Sequence, residues 1–208
     1  CRLSEYRLWD YGFDYYAPQS FETGDGRRIQ IGWMGMPDCE EYTNPTIKDG
    51  WQHCFTFPRE IFVEGGTIRQ RPVRELEERE YPLQNGQKQL GKEPFHIEGY
   101  EVYDLTVRGI GENCFRAVLG EELVLEYRDG RFEMRFTDQD KESASAGRGL
   151  RYVELEQLED LRILTDISSV EVFINGGEYV FSTRYYPKKA CVRMEADKAD
   201  ICFKLIQI

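Results

Sequence analysis

The chain is 208 residues long and carries 27 basic against 38 acidic side chains, a formal net charge of −11. Hydrophobic residues make up 40% and aromatics 13%, enough for a core, so wholesale disorder is excluded. An acidic balance with no basic stripe excludes nucleic acid and anionic membrane surfaces as partners, and no apolar run reaches the ~18 residues of a membrane helix.

The first segment holds the densest chemistry. Trp9-Asp10-Tyr11-Gly12-Phe13-Asp14-Tyr15-Tyr16 leads through Gln19 and Phe21 into an alternating run, Arg28-Ile29-Gln30-Ile31-Gly32-Trp33. Aromatics interleaved with acids suit a sugar, whose C–H faces stack on rings while its hydroxyls pair with carboxylates and amides. The same composition also describes aromatic strands packing a β core with acids at turns. Asp10 and Asp14 on one strand would stand roughly 13 Å apart, too far for a glycosidase pair at about 5–9.5 Å unless Gly12 bends the chain.

One short helix is predicted at Val73–Glu80, two turns at most, ending near Pro82. Elsewhere the period is two. Residues 83–96 are polar and aperiodic, and read as a linker between 1–82 and 97–208. Beyond them come Tyr103, Leu105 and Val107 in alternation, then Leu123–Tyr127 and Phe132–Phe136 flanking Asp129-Gly130. The same hairpin signal recurs at Asn175-Gly176-Gly177, because tight turns there need positive φ. Many short strands with tight turns indicate an antiparallel sandwich, with 138–149 as a mobile loop within it.

The six cysteines form no C-x-x-C pair and only His53 and His96 could assist them, so neither a metal nor another cofactor is expected. Buried, reduced thiols and a cytoplasmic location are the expectation. The chain opens at Cys1 directly in a folded-looking pattern, which suggests a piece of something longer.

The order Asp10 to Phe21, then Gly26-Arg27-Arg28-Ile29-Gln30-Ile31-Gly32-Trp33-Met34, then Gly50-Trp51 and Thr56-Phe57-Pro58-Arg59-Glu60, closely resembles glycoside hydrolase family 32. These are the invertases, sucrose-6-phosphate hydrolases and fructanases. Leu161–Glu178 is similar to the family's C-terminal domain. The resemblance implies an all-β fold: the last blade or blades of a five-bladed β-propeller in 1–82, then a β-sandwich in 97–208. It implies retaining hydrolysis of a fructoside substrate (sucrose, sucrose 6-phosphate or a fructan) by three carboxylates. Their motifs, Trp-Met-Asn-Asp-Pro, Arg-Asp-Pro and Glu-Cys, do not occur here; Glu40-Glu41 follows Cys39 instead of preceding it. No catalytic residue is therefore assigned, and the chain alone is expected to be inactive. By resemblance, Asp10 lies at the rim of the pocket, with Phe13 where plant members carry a lysine. Tyr16 and Trp33 match aromatics of the fructose floor, and Gln19 lies nearby. Trp51, Pro58 and Arg59 are expected to pack the blade on the sandwich, and the exposed blade edge implies self-association. The rival readings are a non-catalytic carbohydrate-binding module and a purely structural sandwich.

Overall fold

A computed structural model describes residues 6–35, 44–79, 81–140 and 143–208. Cys1, Cys39 and Glu40-Glu41 lie outside the described residues.

The N-terminal part is one antiparallel sheet. Its strands are β1 (Tyr16–Glu22), β2 (Arg28–Met34), β3 (Cys54–Phe55), β4 (Arg59–Glu64) and β5 (Thr67–Pro72), in the order β1-β2-β4-β5 with β3 also on β2. Two short 3-10 helices, Pro45–Asp49 and Arg74–Arg79, flank it. The second replaces the predicted α-helix over Val73–Glu80: six residues are too few for several i→i+4 bonds.

The C-terminal part has twelve strands: β6 (Tyr81–Leu90), β7 (Phe95–Glu98), β8 (Tyr103–Gly111), β9 (Phe115–Leu119), β10 (Leu123–Arg128), β11 (Arg131–Phe136), β12 (Leu150–Glu154), β13 (Leu158–Asp166), β14 (Ser169–Ile174), β15 (Tyr179–Arg184), β16 (Cys191–Ala196) and β17 (Ala199–Gln207). They form two six-stranded sheets, β12-β11-β10-β9-β16-β7 and β15-β14-β13-β8-β17-β6. The alternating apolar residues of both sheets, among them Leu105, Val107, Leu123, Leu125, Phe132, Ile163, Val172 and Phe181, close into one buried core. The hairpin turns fall where the sequence puts them, with Asp129, Gly130, Asn175, Gly176 and Gly177 all at positive φ.

Residues 83–96 are not a linker. Most of them belong to β6 and β7, which pair with β17 and β16 at the edges of the two sheets. An edge strand has its backbone bonded on one side and its side chains largely in water, so β6 can be polar without losing its ladder. The 138–149 loop is also tied down at one end. Its Arg148 is buried against Asp14 in the N-terminal segment, with bonds of 2.7 Å to both carboxylate oxygens. The cysteines at 54, 114, 191 and 202 are free thiols, but Cys202 faces solvent on β17 instead of the core.

Candidate functional site: an aromatic platform and its anchor

Cross-strand register assembles the platform. Tyr16 pairs with Trp33 across β1 and β2, and Trp33 pairs with Phe55 of β3, which puts the three rings on one face. A bulge between Tyr16 and Gln19, with Ala17 at positive φ, inserts one extra residue. Three positions along a flat strand would turn Gln19 to the opposite face; the bulge returns it to that of Tyr16 and Trp33. Tyr16 is 54% exposed and meets the half-buried Trp33 edge-on at 6.1 Å. His53 closes the other side of Trp33 at 4.8 Å, again edge-on. Burial, and then the charge of Arg184, lowers the His53 pKa and favours the neutral imidazole. The indole lies directly over Gly35, where a Cβ would collide with it.

Three of the four expected substrate residues, Tyr16, Gln19 and Trp33, thus share a face. Asp10 does not join them. Its side chain is 1% exposed and both oxygens are occupied. Oδ1 accepts from the backbone N–H of Gly12 and Ser182 at 2.8 and 2.9 Å; Oδ2 accepts from Arg59 Nη1 at 3.0 Å and the Ser182 hydroxyl at 2.7 Å. A saturated, buried carboxylate has no lone pair left for a sugar, so the place expected for Asp10 at a pocket rim is corrected to an anchor on the sandwich. Phe13, its neighbour, is in the sandwich core.

Arg59 is the centre of that anchor. Its guanidinium is fully buried and donates to Glu171 from Nε and Nη2 at 2.8 and 2.5 Å, to Asp10, to Gln70 Oε1 at 3.1 Å and to Ser182 Oγ. Glu171 also accepts the Phe57 N–H at 2.6 Å. Burial alone would depress the Arg59 pKa, but Glu171 and Asp10 outweigh it and hold the group charged. Tyr15 lies over the guanidinium, 4.9 Å from ring centroid to Cζ, and donates its hydroxyl proton to Gln30 at 2.7 Å; burial pushes that phenol up to about 12. Trp9 Nε1 donates to the same Gln30 oxygen. The sequence reading missed Glu171 and Ser182, which lie more than 100 positions from Arg59. The only signal was a charged residue at mid-strand in Val170-Glu171-Val172, where an apolar residue would be ordinary.

A blade-like sheet anchored on a two-sheet sandwich defines an all-β, two-module protein. Residues 2–72 match the glycosyl hydrolases family 32 N-terminal domain and residues 121–204 match the glycosyl hydrolases family 32 C-terminal domain. The chain belongs to glycoside hydrolase family 32 and carries parts of both of its modules. It is 35% identical over 199 residues to a probable sucrose-6-phosphate hydrolase of Psychromonas ingrahamii, covering 94% of this chain and 35% of that one. It is 37% identical over 188 residues to the sucrose-6-phosphate hydrolase of Salmonella typhimurium, covering 89% and 37%. The fold superposes on the sucrose-6-phosphate hydrolase of Lactobacillus gasseri with a TM-score of 0.77 at 25% identity, over 96% of this chain and 42% of that chain. The chain therefore spans somewhat over a third of the length of the relatives it matches.

Proposed function

We propose that the protein carrying this chain is a β-fructofuranosidase-type glycoside hydrolase acting on sucrose 6-phosphate, sucrose or a fructan. The observation that carries this reading is the similarity to sucrose-6-phosphate hydrolases along nearly the whole chain. The exposed Tyr16–Trp33 platform supports it, because an amphipathic ring pair beside an amide, Gln19, is the chemistry a furanose binds. In this reading the carboxylates that act on the fructosyl bond lie in the part of the relatives that this chain does not span. One attacks the anomeric carbon while a second protonates the departing oxygen; water then cleaves the covalent ester with retention. Tyr16, Trp33 and Gln19 hold the fructosyl ring. The free thiols of Cys54, Cys114, Cys191 and Cys202 fit a reducing compartment, and we place the protein in the cytoplasm.

The test is fructose release by the full-length protein from sucrose 6-phosphate, sucrose and inulin. Release from at least one of them, with retained anomeric configuration, is expected. No release from any of the three by a folded full-length protein overturns the reading.

A further inference from the structure

The Trp33 indole is confined by Tyr16 edge-on at 6.1 Å, by Gly35 beneath it and by His53 at 4.8 Å. Tyr16 and Trp33 are held by the β1–β2 ladder, and Gly35 follows β2 directly. His53 is held differently. Residues 51–53 run between the first 3-10 helix and β3 outside any strand, and β3 itself is two residues long. So short a ladder restrains its flanks weakly.

The restraint on this segment comes from the sandwich. Arg184, at the end of β15 and 1% exposed, donates from Nη1 to the Gln52 carbonyl at 2.5 Å. Its Cζ lies 5.3 Å from the Trp51 ring centroid. One guanidinium therefore holds the two residues that lead into His53. Asn44 Nδ2 adds a longer bond, 3.5 Å, to the same Gln52 carbonyl. The guanidinium is itself fixed: Nε donates to the Ser168 carbonyl at 2.9 Å, and the Tyr186 centroid lies 5.4 Å from Cζ. Its backbone N–H bonds Asp14 at 2.8 Å. A charged donor makes a hydrogen bond roughly twice as strong as a neutral one, so the Arg184 bond outweighs that of Asn44.

We propose that Arg184 is a positioning residue of the sugar platform: by holding Gln52 and Trp51 it sets the His53 ring against Trp33, so that the sandwich, and not the blade alone, fixes the indole floor. A binding surface is effective only when its rings are already in place, and a displacement of 1 Å lowers the rate. The consequence for catalysis rests on the hydrolase reading; the contact does not.

The test is a double-mutant cycle in the full-length protein, with kcat/KM measured per folded molecule. His53→Ala should lower kcat/KM about two- to tenfold, the size of one aromatic contact, with little change in melting temperature because His53 is exposed. Arg184→Lys should lower kcat/KM by a similar factor and also lower the melting temperature. Since Arg184 acts through His53, the double variant should be no slower than the slower single one; a purely structural Arg184 would make the two factors multiply. Trp51→Leu, at a position 41% exposed, loosens the same hold without a buried change, and its smaller loss should likewise not multiply with that of His53→Ala. In the substrate-free protein, the indole ring current should displace the His53 ring-proton NMR signals, and less so in Arg184→Lys and Trp51→Leu. Multiplying factors, or an unchanged His53 displacement in the folded variants, overturns the proposal. A wild-type protein that cleaves no fructoside would overturn the hydrolase reading instead, and the NMR comparison would still decide the contact.

Discussion

Arg59 binds two side chains from the N-terminal part, Asp10 and Gln70, and two from the sandwich, Glu171 and Ser182, and this makes it the residue on which the two modules turn. Replacing it with Met would leave Asp10 and Glu171 buried without a cation. Removing one partner of a buried ionic cluster costs about 3–5 kcal/mol, nearly all of it from the charges left behind. Arg59→Met should therefore lower the melting temperature sharply, and adding Asp10→Asn and Glu171→Gln should restore part of the loss. A triple variant no better than the single one would show that packing, not charge, carries the cost. This anchor was half legible in the sequence. Arg59 was expected between blade and sandwich, but Asp10 reads as an acid of the pocket rim because its Asp10-Tyr11-Gly12 segment resembles that of the family. Its fate is decided by Ser182, 172 positions away, and no local pattern reports that. The platform was more legible, since Tyr16, Gln19 and Trp33 fall in the segments that resemble the family's motifs. Even so, the bulge that brings Gln19 to their face leaves no mark on a period-two reading. Trp33→Ala in the full-length protein should lower kcat/KM by about ten- to a hundredfold, the equivalent of 1–3 kcal/mol of stacking and hydrogen bonding. Kinetics and melting temperature must be measured together, because Trp33 also packs on Gly35 and His53. Unchanged kcat/KM per folded molecule would remove Trp33 from the site.

At the scale of elements, residues 10–14 act as an additional strand. Tyr11 N–H bonds the Val180 carbonyl at 2.7 Å, and Phe13 and Asp14 bond that of Ser182 at 2.8 and 3.0 Å, so the segment covers the open edge of β15. Asp10 and Asp14 fasten its two ends, on Ser182 and on Thr183 with Arg184. Gly12 lies against the Ser182 backbone so closely that a Cβ would overlap its carbonyl. Gly12→Ala should destabilise by about 1–3 kcal/mol, as overpacking does, and should speed amide exchange in β15. Unchanged exchange there would show that the segment is not the edge cover. The turn between β1 and β2 is fixed by charge instead. Arg27 pairs with Asp25 and with Glu75 of the 3-10 helix, and Arg74 reaches Asp25. The Thr23 hydroxyl first, and then Arg27, hold the Asp25 carboxyl at about 2; the Arg27 hydrogen bond holds Glu75 at about 2. Both values lie below the ordinary 3.8 and 4.5, so the contribution is complete above about pH 4.5 and is lost as pH falls through 2. A carboxyl-carbon NMR titration should give midpoints near 2 for both; midpoints at the ordinary values would mean the pairs do not form in solution. Hairpins such as Asp129-Gly130 were legible because their turns need special φ. β6 was not, because an edge strand needs no apolar alternation.

At the scale of the whole molecule, the blade ends on a strand that has a partner on one side only. All seven residues of β1 are exposed, including Tyr16 and Phe21, and its outer edge pairs with nothing among the described residues. An open edge beside exposed rings is a template for another strand. In the family, a five-bladed propeller supplies neighbouring blades. The 208-residue chain on its own lacks them, and we expect it to self-associate through β1, with mass rising with concentration in analytical ultracentrifugation. Ser20→Pro places a ring without an N–H at mid-strand and should reduce that association. The same missing surroundings bear on activity. Asp10 and Asp14, the two acids of the aromatic segment, are each committed to an arginine, so neither can attack a sugar or give it a proton. Incubated with sucrose, sucrose 6-phosphate and inulin, the isolated chain should release no fructose, whereas the full-length protein should do so. Release that stays proportional to the isolated chain through repurification would mean that a pair of carboxylates within these 208 residues performs the chemistry, and the assignment of catalysis to the rest of the protein would fall.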